Sequence, residues 1–248
     1  MTQAFHPLVI GGNGHSGTRI FLEVVARSGV SCGFRPLARR SNSEDLRIIG
    51  FLNRWVEPYV YGRLDAIQIR AMKRALNIRL RVLFPLRHRP WAFKNPRHML
   101  ILPVLHDMFP EMKFVHVVRD GRDIALGNPF VASNRYLKAY LEKNELQLPP
   151  EQQMILFWGR SNERAMHYGR DVLGPNYRMV RWEDLCCSPE PVARELIRFA
   201  GGNESLTEIA AAGVKRPGSI GRWSSYPPEV RDPVVARGAR WLELFGYQ

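Results

Sequence analysis

The sequence contains little cysteine and no long hydrophobic run. A membrane-spanning helix needs about 20 predominantly apolar residues, and no such stretch occurs in this chain of 248 residues. The N-terminus also lacks the basic segment and long apolar core of a secretory leader. The cysteines Cys32, Cys186 and Cys187 match no metal-binding spacing, and the adjacent pair is poorly suited to a disulfide. These absences predict a cytoplasmic protein in a reducing compartment, without a membrane span.

Acidic residues are scarce relative to basic ones. The 23 Asp and Glu residues face 36 Lys and Arg residues, so the net charge is +13. This balance favours an anionic partner: a nucleotide, a nucleic acid, an acidic glycan or an anionic membrane. The length suits a single α/β domain over residues 1–248.

The most informative motif lies near the start of the chain. The apolar run Pro7–Ile10 leads into the glycine-rich segment 11–19, and an amphipathic run follows from Ile20. A strand, a glycine-rich turn and a helix in this order present backbone N–H groups to a phosphate. In the pattern G-x-x-x-x-G-K-[ST], the lysine position is occupied by Thr18 and the hydroxyl position by Arg19. The loop therefore predicts an anion site without the usual lysine and magnesium ligand of ATP-binding loops.

Strands and helices alternate along most of the chain. Further strands are predicted at Trp91–Phe93, Lys113–Val118 and Tyr177–Trp182. Helices are predicted at Pro96–Met108, at 151–170 and at Pro189–Ala200. The alternation predicts a three-layer α/β/α fold with a central parallel sheet and a P-loop-like first loop.

Residues 43–90 differ in composition and carry much of the excess positive charge. Residues 43–45 have the pattern of a helix start, and a second, basic helix is predicted between Leu64 and Arg81. Two interpretations of the basic helix stay open. Its cations either form a solvated face or serve a membrane surface or an acidic substrate.

Three other groups of residues lie at predicted strand ends or in a glycine-rich loop. Arg119 follows a buried strand into the turn 119–123, where a guanidinium can offer two N–H groups to a phosphate. In that turn Arg122 suits a solvated position, and Asp123 a local cap or ion pair. Trp182 suits either stacking on a base or a place in the core. Residues 215–223 form a basic loop punctuated by glycines. Open α/β sheets bind ligands at the carboxyl ends of their strands, so these groups are expected to meet there.

Taken in order, these segments resemble the motifs of the sulfotransferase superfamily that uses 3′-phosphoadenosine-5′-phosphosulfate (PAPS). The family's [KR]-S-G-T loop corresponds to residues 15–18, and its R-[DN]-[GP]-[RK]-D motif to residues 119–123. Its Tyr-Glu-Asp-Leu segment corresponds to residues 182–185, and its R-x-G-x-x-G-x-W loop to residues 216–223. The resemblance implies PAPS as donor, adenosine 3′,5′-bisphosphate (PAP) as product, no metal, and transfer of a sulfuryl group to a hydroxyl or amine.

The resemblance also implies a cofactor site. The first loop, residues 11–19, would hold the 5′-phosphosulfate. Arg119 and the late loop, residues 216–223, would hold the 3′-phosphate, and Trp182 would pack on the adenine. The implied cofactor residues are Gly14, His15, Ser16, Gly17, Thr18, Arg19, Arg119, Trp182, Arg216, Pro217 and Gly218.

The residues implied for the chemistry are a lysine and a base. Lys94 opens the segment 94–98, which resembles the family's K-[STD]-P segment, whose lysine lies near the sulfuryl group. A base must take the proton of the acceptor, and the family uses a histidine or a carboxylate. The base candidates in this sequence are His98, Glu44, Asp45, Glu57 and Asp65. Spacing does not choose among them, and His98 also suits a buried position in a helix.

The sequence departs from the family pattern at two binding positions. His15 stands where a lysine or arginine is usual, and Arg19 is a candidate to supply the missing charge. Gly127 stands where the family often has a serine that binds the 3′-phosphate. That role is then either vacant or taken by Asn128 or Ser133.

The implied partner is a small-molecule alcohol, phenol or amine, with segments 35–90 and 128–150 as its pocket and lid. We expect no nucleic acid partner, and a homodimer stays open. The main rival is a P-loop-type nucleotide or small-molecule kinase. The missing lysine and the lack of an obvious magnesium carboxylate weigh against it. A nucleic-acid-binding module would spread basic and aromatic residues over one face, whereas these arginines lie at strand ends.

Overall fold

The protein is described from a computed structural model, which covers residues 5–32, 46–84, 89–127 and 134–248. The strands are β1 (Pro7–Gly12), β2 (Trp91–Lys94), β3 (Lys113–Val118) and β4 (Tyr177–Arg181). The helices are α1 (Thr18–Arg27), α2 (Leu46–Val60), α3 (Ala66–Leu83), α4 (Leu102–Met108), α5 (Gly121–Gly127), α6 (Pro150–Tyr168), α7 (Trp182–Cys187), α8 (Pro189–Ala200), α9 (Thr207–Ala211) and α10 (Pro228–Leu244). Glu44, Asp45, Asn128 and Ser133 lie outside the described residues, as does the predicted helix start at 43–45.

The four strands form one parallel sheet in the order β2-β1-β3-β4. The register pairs Ile10 of β1 with Lys94 of β2 and with Val115 of β3. From β1 the chain goes to β2 on one side and then crosses to β3 on the other. This change of direction opens a crevice at the carboxyl ends of β1 and β3, where parallel sheets bind ligands.

Apolar side chains of the strands alternate between two covered faces of the sheet. Val9 and Phe114 pack on one face with the buried sides of α2, α3 and α4. Leu8, Ile10 and Val115 pack on the other face with α1, α7 and α8. Because both faces are buried, the central strands β1 and β3 are largely hydrophobic, whereas the edge strand β4 carries Arg178 and Arg181. The predicted α/β fold with its central parallel sheet is confirmed.

Several element boundaries differ from the sequence prediction. The last strand ends at Arg181, and Trp182 begins α7 instead of ending β4. The predicted helix after Asn95 starts as a 3₁₀ turn over Pro96–Ile101 and becomes α-helical only in α4. The turn after Arg119 leads directly into α5, which was not predicted.

The helix α10 was also missed, because Pro233 and Gly238 within it argue against a helix. Packing on α6 outweighs that local preference. Trp241 lies directly on Gly159 of α6, where a Cβ would come within 2.2 Å of the indole.

Two expectations about membranes and cysteines bear on the described residues. No helix in this part of the chain combines the length and apolar character needed to cross a bilayer. The thiols of Cys32, Cys186 and Cys187 are all free.

Candidate anion-binding site and adjoining cavity

The loop between β1 and α1 is a tight turn that exposes its backbone. The hydroxyl of Ser16 donates to the carbonyl of Asn13 at 2.7 Å, and the Ser16 N–H donates to the same oxygen at 3.1 Å. His15 lies in the left-handed region with φ of 67°, and Gly17 follows with φ of 77°. Asn13 is buried and donates to the hydroxyl of Ser161 in α6 at 3.2 Å. The turn is thus fixed from below while Gly14 and His15 face solvent.

Gly17 is required both by its backbone and by its neighbour. A Cβ at this position would lie 2.2 Å from Nε1 of Trp182. Trp182 is only 7 % exposed and packs in the core against α1 and α8. Of the two interpretations of this tryptophan, the structure favours the core position, because the loop and a guanidinium cover its ring.

Arg119 connects three segments that are far apart in sequence. Its Nη1 donates to the carbonyl of His15 at 3.2 Å, and its Nη2 donates to the carbonyl and hydroxyl of Ser219 at 3.1 Å each. The guanidinium stacks on Trp182, with Cζ 4.2 Å from the ring centre. Its Nε is buried and has no hydrogen-bond partner. The first loop, the end of β3 and the late glycine loop therefore converge on this side chain.

The residues after Arg119 hold the late loop in place. Arg122 is buried, forms an ion pair with Asp120 at 2.8 Å, and stacks on Trp223 with Cζ 3.9 Å from the ring centre. The expectation of a solvated Arg122 is therefore wrong. Asp123 accepts hydrogen bonds from the N–H groups of Gly221 and Trp223, each at 2.9 Å. Burial raises the pKa of Asp123, and these two hydrogen bonds oppose the rise.

The remaining cofactor residues implied by the sequence lie around this junction. Ser16 and Thr18 are buried at the turn, whereas Arg19 is exposed on α1. Arg216 and Gly218 are exposed, and Pro217 is half-buried. The structure brings their loop to Arg119 through Ser219, a residue that the sequence argument did not single out.

Gly127 lies against another arginine of the late loop. A Cβ at Gly127 would lie 2.2 Å from Nη2 of Arg222, and that nitrogen donates to the Gly127 carbonyl at 3.3 Å. The guanidinium of Arg222 thus takes the space that a serine side chain would need. Sequence reasoning missed Arg222, because only the fold brings it to the end of α5.

A cavity of about 440 Å³ adjoins the first loop. Its wall combines the loop residues with two cations, amides and apolar side chains. It is lined by Gly12, Asn13, Gly14, His15, Asn95, Pro96, Arg97, Met99, Leu100, Asn134, Arg135, Tyr136, Met154 and Phe157. From the segment 128–150 it takes Asn134, Arg135 and Tyr136, so this part of the predicted lid borders the cavity. Lys94 ends β2, one residue before the cavity wall begins at Asn95.

His98 is fully buried, which favours the structural interpretation of this residue. Neither ring nitrogen makes a well-formed hydrogen bond. The imidazole packs edge-on against Phe93, with the two ring centres 4.9 Å apart. Burial lowers the pKa of His98 to about 3, although the Ile10 carbonyl opposes the fall. A group with such a low pKa is a weak base, and His98 does not line the cavity.

The described carboxylates differ in their relation to the cavity. Glu57 forms an ion pair with Arg135 of the cavity wall, with Oε2 3.7 Å from Nη1. Asp65 accepts a hydrogen bond from the Gln68 N–H at 2.7 Å and caps α3. The geometry therefore brings Glu57 close to the cavity and gives Asp65 a structural task. In the described ranges, no group of three or more His, Cys, Asp or Glu is arranged to hold a metal ion.

Two buried histidines are expected to make folding stability depend on pH. Burial lowers the pKa of His98 to about 3 and that of His116 to about 4, whereas an unfolded chain has about 6.5. As pH falls through 6.5 the unfolded state binds protons that the folded state does not, so stability is lost. Together the two histidines should lower the free energy of unfolding by roughly 2 kcal/mol between pH 6 and pH 5.

Urea denaturation at both pH values measures this effect. His98→Leu should reduce the difference between pH 6 and pH 5 by about 1 kcal/mol. His167→Gln, at an exposed histidine of α6, controls for the loss of a histidine as such. An unchanged pH difference in His98→Leu would contradict the buried neutral state.

His15 should tolerate replacement by a permanent cation. Desolvation and the nearby Arg119 guanidinium lower the pKa of His15, so its imidazole is neutral at pH 8. His15→Lys should preserve PAP affinity at pH 8 or raise it several-fold, because it adds a charge at the anion loop. His15→Asn is the neutral control, since asparagine also accepts a positive φ. Calorimetric titration measures the PAP affinity of both variants. A loss of more than tenfold in both would mean that the imidazole has a separate role.

The sheet and the turn after its first strand define a protein of the parallel α/β class, with a P-loop-like loop between the first strand and first helix. The profile of the Sulfotransferase family matches residues 69–203, over half of the chain. The chain belongs to this family, which confirms the resemblance drawn from its motifs.

Individual relatives point to the same family. Over 169 residues the chain is 29% identical to the omega-hydroxy-beta-dihydromenaquinone-9 sulfotransferase Stf3 of Mycobacterium bovis and of Mycobacterium tuberculosis. The match covers 62% of this chain but 40% of each relative, so it spans less than half of the curated relatives' length.

Solved structures share the fold. The sulfotransferase STF9 from Mycobacterium avium has a TM-score of 0.59 at 14% identity, covering 99% of this chain and 78% of that one. The sulfotransferase domain of the Synechococcus PCC 7002 olefin synthase has a TM-score of 0.57 at 14% identity, covering 99% and 96%. At this identity the likeness concerns the fold alone.

Proposed function

We propose that this protein transfers the sulfuryl group of PAPS to a hydroxyl or amine of a small-molecule acceptor. The observation that carries the proposal is the convergence on Arg119. One guanidinium contacts the first loop through His15 and the late loop through Ser219, next to a cavity. Family membership supports the reaction class, and the meeting of the two loops at Arg119 supports one binding site for a nucleotide that carries phosphates at its 5′ and 3′ positions.

The residues present suit such a nucleotide. The buried Nε of Arg119 lacks an acceptor, which a phosphate oxygen would provide. A Cβ built on Gly14 would meet no atom within 4 Å, so space lies open above the loop. The backbone N–H groups of residues 14, 15, 17 and 18, at the start of α1, would hold the 5′ end, whereas the Ser16 N–H bonds the Asn13 carbonyl. Arg119 with Arg216, Pro217 and Gly218 would hold the 3′-phosphate.

Trp182 would act differently from the family's adenine-stacking aromatic. Its ring is already covered by Gly17 and by the guanidinium of Arg119. We assign it to supporting those two residues from below. A stacked arginine keeps its donors directed outwards, which favours recognition of a planar array of phosphate oxygens.

The chain's own contribution to the chemistry is positioning and charge. When bound, PAPS supplies an activated sulfuryl group on a phosphate leaving group. Lys94, at the carboxyl end of β2, would stabilise the negative charge that develops during in-line displacement. Ile10, directly before the first loop, pairs with Lys94 in the sheet, which fixes the height of the lysine relative to that loop. Arg19, the second residue of α1, would add a second cation.

Glu57 is the base that the described geometry supports best. It reaches the cavity wall through Arg135, whereas His98 is buried outside it and Asp65 caps a helix. Removal of a proton from the acceptor hydroxyl needs a carboxylate within hydrogen-bond reach, directly or through one water. The Arg135 ion pair would orient Glu57. Glu44, outside the described residues, stays an alternative.

The cavity favours an acceptor that is largely apolar. Met99, Leu100, Tyr136, Met154 and Phe157 contribute its apolar wall. Arg97 adds a cation held by Asn53, with Nη1 2.7 Å from the amide oxygen. The name of the curated relatives states that they act on a menaquinone derivative, and an apolar acceptor with a hydroxyl group would suit this cavity too.

Arg222 would replace the family serine as a ligand of the 3′-phosphate. The substitution Gly127→Ser, which restores the family residue, should therefore weaken PAP binding by about tenfold instead of strengthening it. Its side chain would collide with Arg222, and a charge-assisted hydrogen bond contributes about 1.5–3 kcal/mol. Calorimetric titration of Gly127→Ser and Arg222→Ala measures this loss. Stronger binding by Gly127→Ser would contradict the role of Arg222.

The proposed reaction is tested by incubating the protein with sulfur-labelled PAPS and a panel of alcohols, phenols and amines of rising apolar area. Transfer of label to an apolar hydroxyl compound, with release of PAP, is the expected result. Label transfer that is absent throughout the panel, from a protein that binds PAP, would reject the acceptor class. A protein that transfers phosphate from ATP instead would reject the reaction.

A further inference from the structure

The helix α3 has two apolar sides, although only one of them faces the core. Met72, Leu76 and Leu80 on the inner side are completely buried. On the outer side Ile67, Ile78 and Val82 are 69 %, 55 % and 50 % exposed. A surface helix normally carries polar residues on its outer side. The outer apolar row is therefore not explained by the packing of this chain.

Arginines run beside this outer row. Arg70, Arg74 and Arg81 are exposed, and the rotation of about 100° per residue sets them on one flank of the apolar row. No acidic residue occurs in α3. Its other two cations have tasks inside the protein. Lys73 forms an ion pair with Asp107, and Arg79 bonds the Ala75 carbonyl.

The concentration of exposed apolar residues on α3 is specific to this helix. Elsewhere in the described part of the chain, large exposed apolar side chains occur one to an element, at Phe5, Val172, Ile209 and Leu244. An apolar row flanked by arginines on one helix face is the pattern of helices that lie in the interface of an anionic membrane.

The start of α3 is connected to the cavity. The hydroxyl of Tyr61, in the turn before α3, donates to the carbonyl of Arg135 at 2.8 Å, and Glu57 of α2 pairs with the same arginine. Arg135 lines the cavity. The turn that leads into α3 is thus bonded to the cavity wall.

We propose that the outer face of α3, formed by Ile67, Ile78 and Val82 with Arg70, Arg74 and Arg81, docks the protein on an anionic lipid surface. The apolar side chains enter the interface while the arginines contact lipid phosphates. Docking itself requires neither PAPS nor an acceptor. If the proposed transfer also holds, the same face brings the cavity to acceptors that are dissolved in a membrane.

Vesicle flotation of the protein tests the docking. Vesicles of phosphatidylcholine mixed with phosphatidylglycerol should bind the protein, and vesicles of phosphatidylcholine alone should bind it far more weakly. The triple variant Arg70→Gln/Arg74→Gln/Arg81→Gln should lose roughly a hundredfold in affinity, at about fivefold per arginine. The affinity of the variant Ile67→Gln/Ile78→Gln/Val82→Gln for these vesicles should fall by at least about tenfold.

Each variant has a matched control elsewhere on the surface. Arg178→Gln/Arg194→Gln/Arg198→Gln removes the same charge from exposed arginines of β4 and α8. Val172→Gln/Ile209→Gln/Leu244→Gln removes three exposed apolar residues from other elements. Both controls should keep more than half of the vesicle binding. If the control variants lost as much vesicle binding as the α3 variants, the effect would come from net charge or general hydrophobicity. That result would overturn the proposal.

Two further measurements separate docking from its alternatives. PAP binding and turnover of a soluble acceptor should be unchanged in both α3 variants, so a failure of docking is distinguishable from a failure of the proposed reaction. Sedimentation equilibrium should give the same mass for wild type and α3 variants. A dimer that dissociates in the Ile67→Gln/Ile78→Gln/Val82→Gln variant, without vesicle binding by the wild type, would mean that a second copy covers this face.

Discussion

Replacing Arg119 with alanine should weaken the binding of PAP by about a hundredfold or more. The guanidinium is the side chain on which the first loop and the late loop converge, and its Nε is buried without a partner. Each charge-assisted hydrogen bond to a phosphate contributes about 1.5–3 kcal/mol, and the substitution would remove both bonds of a bidentate contact. Calorimetric titration with PAP measures the loss.

A comparison of ligands localises the effect of Arg119. The wild type should bind PAP much more tightly than adenosine 5′-monophosphate, which lacks the 3′-phosphate, and Arg119→Ala should bind both about equally. Arg119→Lys should fall in between, because lysine keeps the charge but loses the planar pair of donors. Arg178→Ala, at an exposed arginine of β4, is the matched control. If Arg119→Ala lost affinity equally for both ligands, Arg119 would serve the fold and not the 3′-phosphate.

Replacing Lys94 with alanine should lower kcat by about 100- to 1000-fold. Loss of one preorganised donor to charge that develops in a transition state has an effect of this size. Lys94 ends β2 directly before the cavity wall, in register with the residue before the first loop. Steady-state kinetics with labelled PAPS gives the change in kcat.

Binding separates the catalytic role of Lys94 from a structural one. The Kd of PAP should change less than about threefold in Lys94→Ala, because the expected interaction develops only as the sulfuryl group leaves. Lys113→Ala is the matched control, since Lys113 lies at the amino end of β3, two strands away from Lys94, and bonds the Phe199 carbonyl. Turnover within a few fold of wild type in Lys94→Ala would remove the lysine from the mechanism.

The sequence predicted the parts of the protein that depend on local pattern. The strands β1, β2 and β3 contain runs of apolar residues, and the first loop follows the apolar run of β1 directly. The rule that ligands bind at the carboxyl ends of parallel strands placed Arg119 beside the first loop, and the family resemblance placed the late loop with it. The contacts of Arg119 with His15 and Ser219 agree with that expectation.

The incorrect predictions concern residues whose partners are distant in sequence. Arg122 was expected in solvent, but it is buried because Asp120 neutralises it and Trp223, a hundred residues later, stacks on it. Trp182 was predicted as the last residue of a strand, yet it starts a helix and packs against Gly17. The contact between Gly127 and Arg222 was not predicted, because no local pattern connects the two residues.

His98 illustrates why spacing does not identify a catalytic base. Its distance from Lys94 is about one helical turn, which suits a shared cleft. The segment begins as a 3₁₀ turn, and the histidine points into the core against Phe93. Glu57 has no sequence motif around it, and its nearness to the cavity depends on the ion pair with Arg135.

The most direct test of the central claim is the thermal stability of the protein with PAP in the presence of EDTA. A single site formed by the first loop, Arg119 and the late loop predicts that PAP raises Tm without magnesium. The rise should be larger than that with adenosine 5′-monophosphate and should be lost in Arg119→Ala. No stabilisation by PAP, together with stabilisation by ATP only when magnesium is present, would contradict the account and favour a kinase.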